Sequence, residues 1–141
     1  MSELLITAIP QNLVEVVWEQ VQPLIERVVN KAPDDLSVWA IKKRLVDGQT
    51  MLIAISEGSK IVAINVLSLE DLDSGKKVLV IPITAGDRMA EWMDDFFEVV
   101  TKIAKDFGCE ELRGMSVRKG WMRILKERGW VENHTVVKCK I

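Results

Sequence analysis

The side chains best suited to chemistry are few: one His, two Cys and no Tyr among 141 residues. His134 lies in the polar stretch Glu132-Asn133-His134-Thr135. It can serve as a general base, yet it reads first as an isolated surface imidazole in a hairpin turn. Cys139 alternates with Lys138 and Lys140 and is expected to point into the core as a small hydrophobe. Cys109 follows a helix-stopping Gly108, with no His partner evident. The two thiols make neither a disulfide framework nor a metal set, and a single His excludes multi-His metal sites. Glu70, Asp71 and Asp73 offer a general base or a cation site, but their spacing lacks the full calcium-loop pattern, and a solvated loop explains them. The strongest ligand candidate is Thr84-Ala85-Gly86-Asp87-Arg88-Met89. A loop entering a helix presents backbone N–H groups and a partial positive charge to an anion. Its single Gly limits close approach, so an ordinary strand-to-helix turn is the competing reading.

Charge and composition bound the rest. The length fits one domain, residues 1–141, and 48% hydrophobic composition is too high for a disordered chain. No apolar run approaches a membrane span and no leader pattern is visible, so a soluble chain in a reducing, cytoplasmic compartment is expected. The net charge of -2 hides an acidic body, -7 over residues 1–100, and a basic end, +5 over residues 101–141. That end holds Arg113, Arg118, Lys119, Arg123, Lys126 and Arg128. Glu110, Glu111 and Glu127 interrupt it, and no aromatic–basic interleaving suggests a base-stacking platform. A solvated amphipathic surface is therefore favoured over nucleic-acid binding.

Periodicity supplies the elements that must position these residues. Residues 4–9 read as a strand ending at Pro10. Val14, Val17, Trp18, Val21, Ile25 and Val28 fall at helical spacing, with Pro23 expected to kink or split that helix. Asp34 and Asp35 are expected to cap a second helix carrying Val38, Trp39, Ile41 and Leu45. Strands follow over 51–55, 61–67 and 78–83, the last ending near Pro82. A long helix then carries Met93, Phe96, Phe97, Val100, Ile103, Ala104 and Phe107, with Asp87 as the expected N-cap and Gly108 as the stop. A weaker strand over 112–117, a short helix closed by Gly129, and a half-buried strand over 135–141 complete the chain. Trp18, Trp39, Trp92 and Trp121 all read as core packing, Trp92 and Trp121 becoming contact residues if exposed. The order β-α-α-β-β-β-α-β-α-β implies a mixed α/β sheet with helices on both faces.

This order resembles the GNAT superfamily of acyl-CoA-dependent N-acetyltransferases, most sharply from Val80 to Trp130. Val80-Ile81-Pro82, the helix ending at Gly108, the strand over 112–117 and Gly129-Trp130 occupy the family's places without a gap. The segment from Gly120-Trp121 to Gly129-Trp130 looks like small GNAT-like proteins encoded by bacteriophages, which implies a bacterial host cytoplasm or a virion. The resemblance implies a largely antiparallel central sheet, acetyl-CoA as acyl donor and an amine or protein as acceptor, with a homo-oligomer also open. It places Ile81, Ile83, Thr84, Ala85, Gly86, Arg88, Met89, Ala90 and Arg118 along the acyl-CoA. The chain also departs from the pattern. Ala85 stands in the family's Arg/Gln slot and Arg88 in its first Gly slot, and only Ala90 fits the last slot. Leu125 occupies the slot of the Tyr acid, and Arg118 that of a frequent Asn. An Asp87 carboxylate beside a pyrophosphate would repel it, with Arg88 as a partial offset. These departures leave two readings open: an N-acetyltransferase with a degenerate cofactor loop, and a GNAT-like binding or structural module without catalysis.

Overall fold

The computed structural model describes residues 3–115 and 119–141. Five strands form one sheet in the order β1-β2-β3-β4-β5: Leu4–Ile9, Met51–Glu57, Lys60–Asp71, Lys77–Gly86 and Glu111–Gly114. The first four pair antiparallel, and β5 joins β4 in parallel. Helices α1 (Val14–Val29) and α2 (Val38–Val46) follow β1. Helix α3 (Met89–Asp106) lies between β4 and β5, and α4 (Lys119–Glu127) follows β5. The mixed, largely antiparallel sheet and its α/β class agree with the sequence reading.

Two cores sandwich the sheet. Val14, Trp18, Val21, Leu24 and Ile25 of α1 join Ile41 and Leu45 of α2 against Leu52, Ile64, Val66, Ile83 and Ala85. Trp92, Met93, Phe96, Val100 and Ala104 of α3 pack on Ile53, Ile55, Leu67, Leu79 and Ile81 of the opposite face. Leu52 and Ile53 enter different cores because successive strand residues point to opposite faces.

Several local expectations need correction. Helix α1 runs through Pro23 without being split. Proline removes one main-chain donor, and the buried neighbours Val21, Leu24 and Ile25 offset that loss by packing. The N-cap of α2 is Ser37, whose hydroxyl accepts from the Ala40 N–H at 3.3 Å, rather than Asp34 or Asp35. Trp39 is 71% exposed, because Ile41 and Leu45 define the buried stripe and a residue two places before Ile41 lies across the helix. The strand β4 does not end near Pro82 but continues to Gly86. The strand β5 spans Glu111–Gly114, and the remainder of the expected 112–117 strand runs into residues 116–118, outside the described ones.

The last expected strand does not form. Residues 131–141 carry no regular structure, and Cys139 is exposed rather than in the core. Alternating apolar residues give a segment the capacity to bury one face, but a strand also needs an edge within reach. No helix among the described residues is long and apolar enough to cross a membrane.

Candidate functional site

The chemistry suggested by the sequence converges where β4 leaves β5 and enters α3. The parallel ladder ends with Ile81 opposite Gly114, while β4 continues for five residues beyond Ile81. At the same point β4 carries an extra residue relative to β3, since Val66 pairs with Ile83 and Ser68 with Val80. This bulge falls at Ile81-Pro82, where proline is tolerated because a bulged position gives up a ladder bond in any case. The bulge also resets the side-chain alternation. Ile81 enters the α3 core, whereas Ile83 and Ala85 enter the α1–α2 core.

That reset decides what each candidate presents. Ile81, Ile83 and Ala85 are 3–6% exposed, so only their main-chain groups are available to a ligand. Thr84, lying between Ile83 and Ala85, faces the α3 side and is partly exposed. Its Oγ1 donates to Oδ1 of Asn65 at 2.7 Å. Asn65 is 0% exposed and is the polar member of the buried set. Its Nδ2 has no hydrogen-bond partner among the described residues. Sequence reading missed Asn65; the cue was a lone amide within the apolar run 61–67.

The turn into α3 is tightly built. Gly86 has φ 122°, and a Cβ there would lie 2.4 Å from the Val62 carbonyl oxygen and 2.5 Å from Ala63 Cα. Its missing side chain therefore serves the approach of β3. The Asp87 N–H donates to the Val62 carbonyl at 3.0 Å, and the Asp87 carbonyl accepts from Trp92 Nε1 at 2.9 Å. The Asp87 carboxylate pairs with Arg27 of α1 at 3.1 Å. It does not cap α3: the N-cap is Arg88, in the left-handed conformation (φ 63°), and its side chain makes no capping hydrogen bond to the main chain of the first turn. The Glu91 N–H donates to the Arg88 carbonyl at 2.9 Å, and the N–H groups of Met89 and Ala90 before it are left to solvent or ligand.

Arg88 is already engaged. Its guanidinium donates to Glu91 at 2.8 and 3.0 Å and to Glu57 at 2.8 Å. These bonds, Glu91 first, raise its pKa further, and Arg88 holds the Glu91 carboxyl below the usual carboxylate range. Three carboxylates, Glu57, Asp87 and Glu91, therefore stand around the helix N-terminus with two guanidinium groups, Arg88 and Arg27.

The other candidates are scattered. Leu125 is 5% exposed, so the residue in the acid slot is core packing. Trp92 is 1% exposed and Trp121 partly exposed. Arg118 lies outside the described residues. His134 is exposed, on a segment that forms no hairpin. Glu70 and Asp71 end β3 and Asp73 follows in the turn; no group of three potential ligands able to hold a metal occurs among the described residues. The basic end is partly neutralised, with Arg113 on Glu111 at 2.7 Å, Lys126 on Glu132 at 3.1 Å and Arg128 on Asp94 at 2.6 Å.

The architecture is shared with solved acetyltransferases over nearly the whole chain. A ribosomal-protein-alanine N-acetyltransferase from Brucella melitensis biovar Abortus 2308 is 9% identical, with a TM-score of 0.74 over 99% of this chain and 99% of that one. An aminoglycoside N-acetyltransferase in complex with CoA is 13% identical, with a TM-score of 0.74 over 100% of this chain and 96% of that one. An aminoglycoside acetyltransferase from an uncultured soil metagenomic sample, in complex with sisomicin, is 15% identical, with a TM-score of 0.70 over 98% and 95% of the two chains. At these identities the likeness is one of fold, and the chain has the GNAT fold. No protein-family model matches it, and no curated protein matches it in sequence.

Proposed function

We propose that this chain binds an acyl-CoA along the unpaired end of β4 and transfers its acetyl group to an amine, on a small molecule or a protein. The observation that carries this reading is the end of β4–β5 pairing at Ile81 and Gly114, while β4 runs on to an uncapped helix N-terminus. A strand that loses its neighbour has main-chain groups free to pair with the amides of an extended arm. Residues 83–86 would hold that arm, and the opening of α3 would face the diphosphate. The fit is good for the arm and poor for the diphosphate. The close approach at Gly86 is taken up by β3, and Arg88 must release Glu57 or Glu91 before it can meet phosphate.

In the transfer itself, the amine nitrogen attacks the thioester carbonyl carbon and the carbon–sulfur bond breaks. The amine loses a proton to solvent, and the departing thiolate takes one from water. Water has this role because the chain has no Tyr and Leu125 is buried. Lack of a side-chain acid lowers turnover by about 10²–10⁴-fold without abolishing it.

A second reading, a GNAT-fold binding or structural module without turnover, such as a phage would encode, is favoured by the three carboxylates around the N-terminus of α3. Calorimetric titration with acetyl-CoA, paired with a thiol-release assay over a panel of amines, separates the two. Binding with thiol release supports transfer. Binding alone supports the module. Heat silence with no release at high acetyl-CoA overturns the acyl-CoA reading.

A further inference from the structure

The face of the sheet beneath α3 holds a polar pair in an apolar setting. Ile64 and Val66 enter the α1–α2 core, so Asn65 between them turns to the α3 side. Its same-face neighbours are Ile53 across on β2 and Ala63 and Leu67 along β3, all in the α3 core. Its polar neighbour is Thr84, directly opposite on β4. A leucine would fill this position without an orphan amide nitrogen, so packing gives no reason for an asparagine.

The amide instead sets the polarity of Thr84. A threonine hydroxyl offers a single proton and two lone pairs. That proton goes to Asn65 Oδ1, on the β3 side. No group among the described residues donates to Thr84 Oγ1. On the other side β4 has lost β5, whose pairing ends at Ile81, and Thr84 is partly exposed. Its oxygen therefore turns lone pairs, and no proton, to the open edge. A hydroxyl that donates is also the stronger acceptor, because its oxygen is polarised.

Such an oxygen accepts a ligand N–H and rejects a carbonyl or phosphate oxygen, which would leave acceptor facing acceptor. We propose that Thr84 Oγ1 accepts an amide N–H of the acyl donor's extended arm, and that Asn65 is the positioning residue that makes the hydroxyl an acceptor. This inference rests on the acyl-CoA reading above and sharpens it. The arm lies with an N–H, and not a carbonyl, toward Thr84. The diphosphate is kept off this position and left to the start of α3.

Calorimetry with acetyl-CoA, with no amine present, tests it. Thr84→Val keeps the branched shape and removes the acceptor. Affinity should fall roughly 2- to 10-fold, the scale of one hydrogen bond. Thr84→Ser should recover most of that loss. Asn65→Leu should weaken binding while raising the urea midpoint, whereas a merely structural residue would move the two together. In the Thr84→Val background, Asn65→Leu should weaken binding no further; that double variant leaves no orphan polar group in the pair. For one of the arm's amides, an acetyl-CoA analogue with ester oxygen in place of the N–H should bind the wild-type chain more weakly by the same factor. Thr84→Val should bind that analogue as it binds acetyl-CoA.

Heat silence with acetyl-CoA in the wild-type chain overturns the acyl-CoA reading and this inference with it. Four results overturn this inference alone: acetyl-CoA binding that Thr84→Val leaves unchanged, a loss seen only in the KM for an amine, an Asn65→Leu variant that binds as wild type does, or ester analogues that weaken both proteins alike.

Discussion

Thr84 Oγ1 donates to Asn65 Oδ1 at 2.7 Å, joining a partly exposed hydroxyl on β4 to a fully buried amide on β3. The amide nitrogen of Asn65 is left without a partner among the described residues. A buried polar group in that position costs stability, about 1–3 kcal/mol. The amide fixes the direction of the Thr84 hydroxyl beside the unpaired end of β4, at the expense of its own donor. Asn65→Leu keeps the branched shape and the number of side-chain heavy atoms and removes the orphan donor. It should raise the free energy of unfolding by about 1 kcal/mol, measured by urea titration, and weaken acetyl-CoA binding. A loss of stability instead would show that the amide is satisfied in solution.

Gly86 should tolerate no side chain. Its φ of 122° is strained for any other residue, and an added Cβ would press on the main chain of Val62 and Ala63, which cannot rotate away. Gly86→Ala is expected to cost more than about 1 kcal/mol. Equal urea midpoints for the two proteins would show that β4 ends in a different backbone conformation.

Glu91 competes with any anion for Arg88. Glu91→Gln removes one negative charge from the first turn of α3 and frees part of the guanidinium. Affinity for CoA should rise by roughly 2- to 5-fold at low salt, the scale of one charge at a helix N-terminus. The gain should shrink as salt is added. Unchanged or weaker CoA binding in calorimetry would place the phosphates elsewhere.

Acid should loosen the surface before it reaches the core. Hydrogen bonds from Arg88, Arg128 and Arg113 hold Glu91, Asp94 and Glu111 below the usual carboxylate range, with Lys76 also acting on Glu111. A carboxyl with a depressed pKa in the folded state adds stability that is fully present above its unfolded pKa. That stability is lost as pH falls through the folded value. The melting temperature should therefore hold down to about pH 4 and decline below it. Because all three groups are solvent-accessible, the effect is modest and salt weakens it. Asp94→Asn, which unpairs Arg128, should flatten the acid limb; an identical limb in wild type and variant would show that the Asp94–Arg128 pair adds nothing.

The sequence by itself determined the order of elements through β5 and α4, the two-faced character of the sheet and the absence of a Tyr acid. Those features follow from local periods. Val14, Trp18, Val21 and Ile25 recur at helical spacing, and strands alternate, whatever the rest of the chain does. Tertiary structure decided what local periods do not carry. Pro82 marks a strand end in sequence, yet it sits in a bulge because β3 supplies the ladder on either side of it. Asp87 has the chemistry of an N-cap, but Arg27, sixty residues earlier, draws its carboxylate away. Arg88 is polar in sequence and becomes a clamped cation only when Glu57 arrives from β2. Val137, Cys139 and Ile141 have the alternation of a strand, yet they pair with no strand among the described residues. In each case the deciding partner is distant in sequence, and its approach depends on how the strands and helices pack.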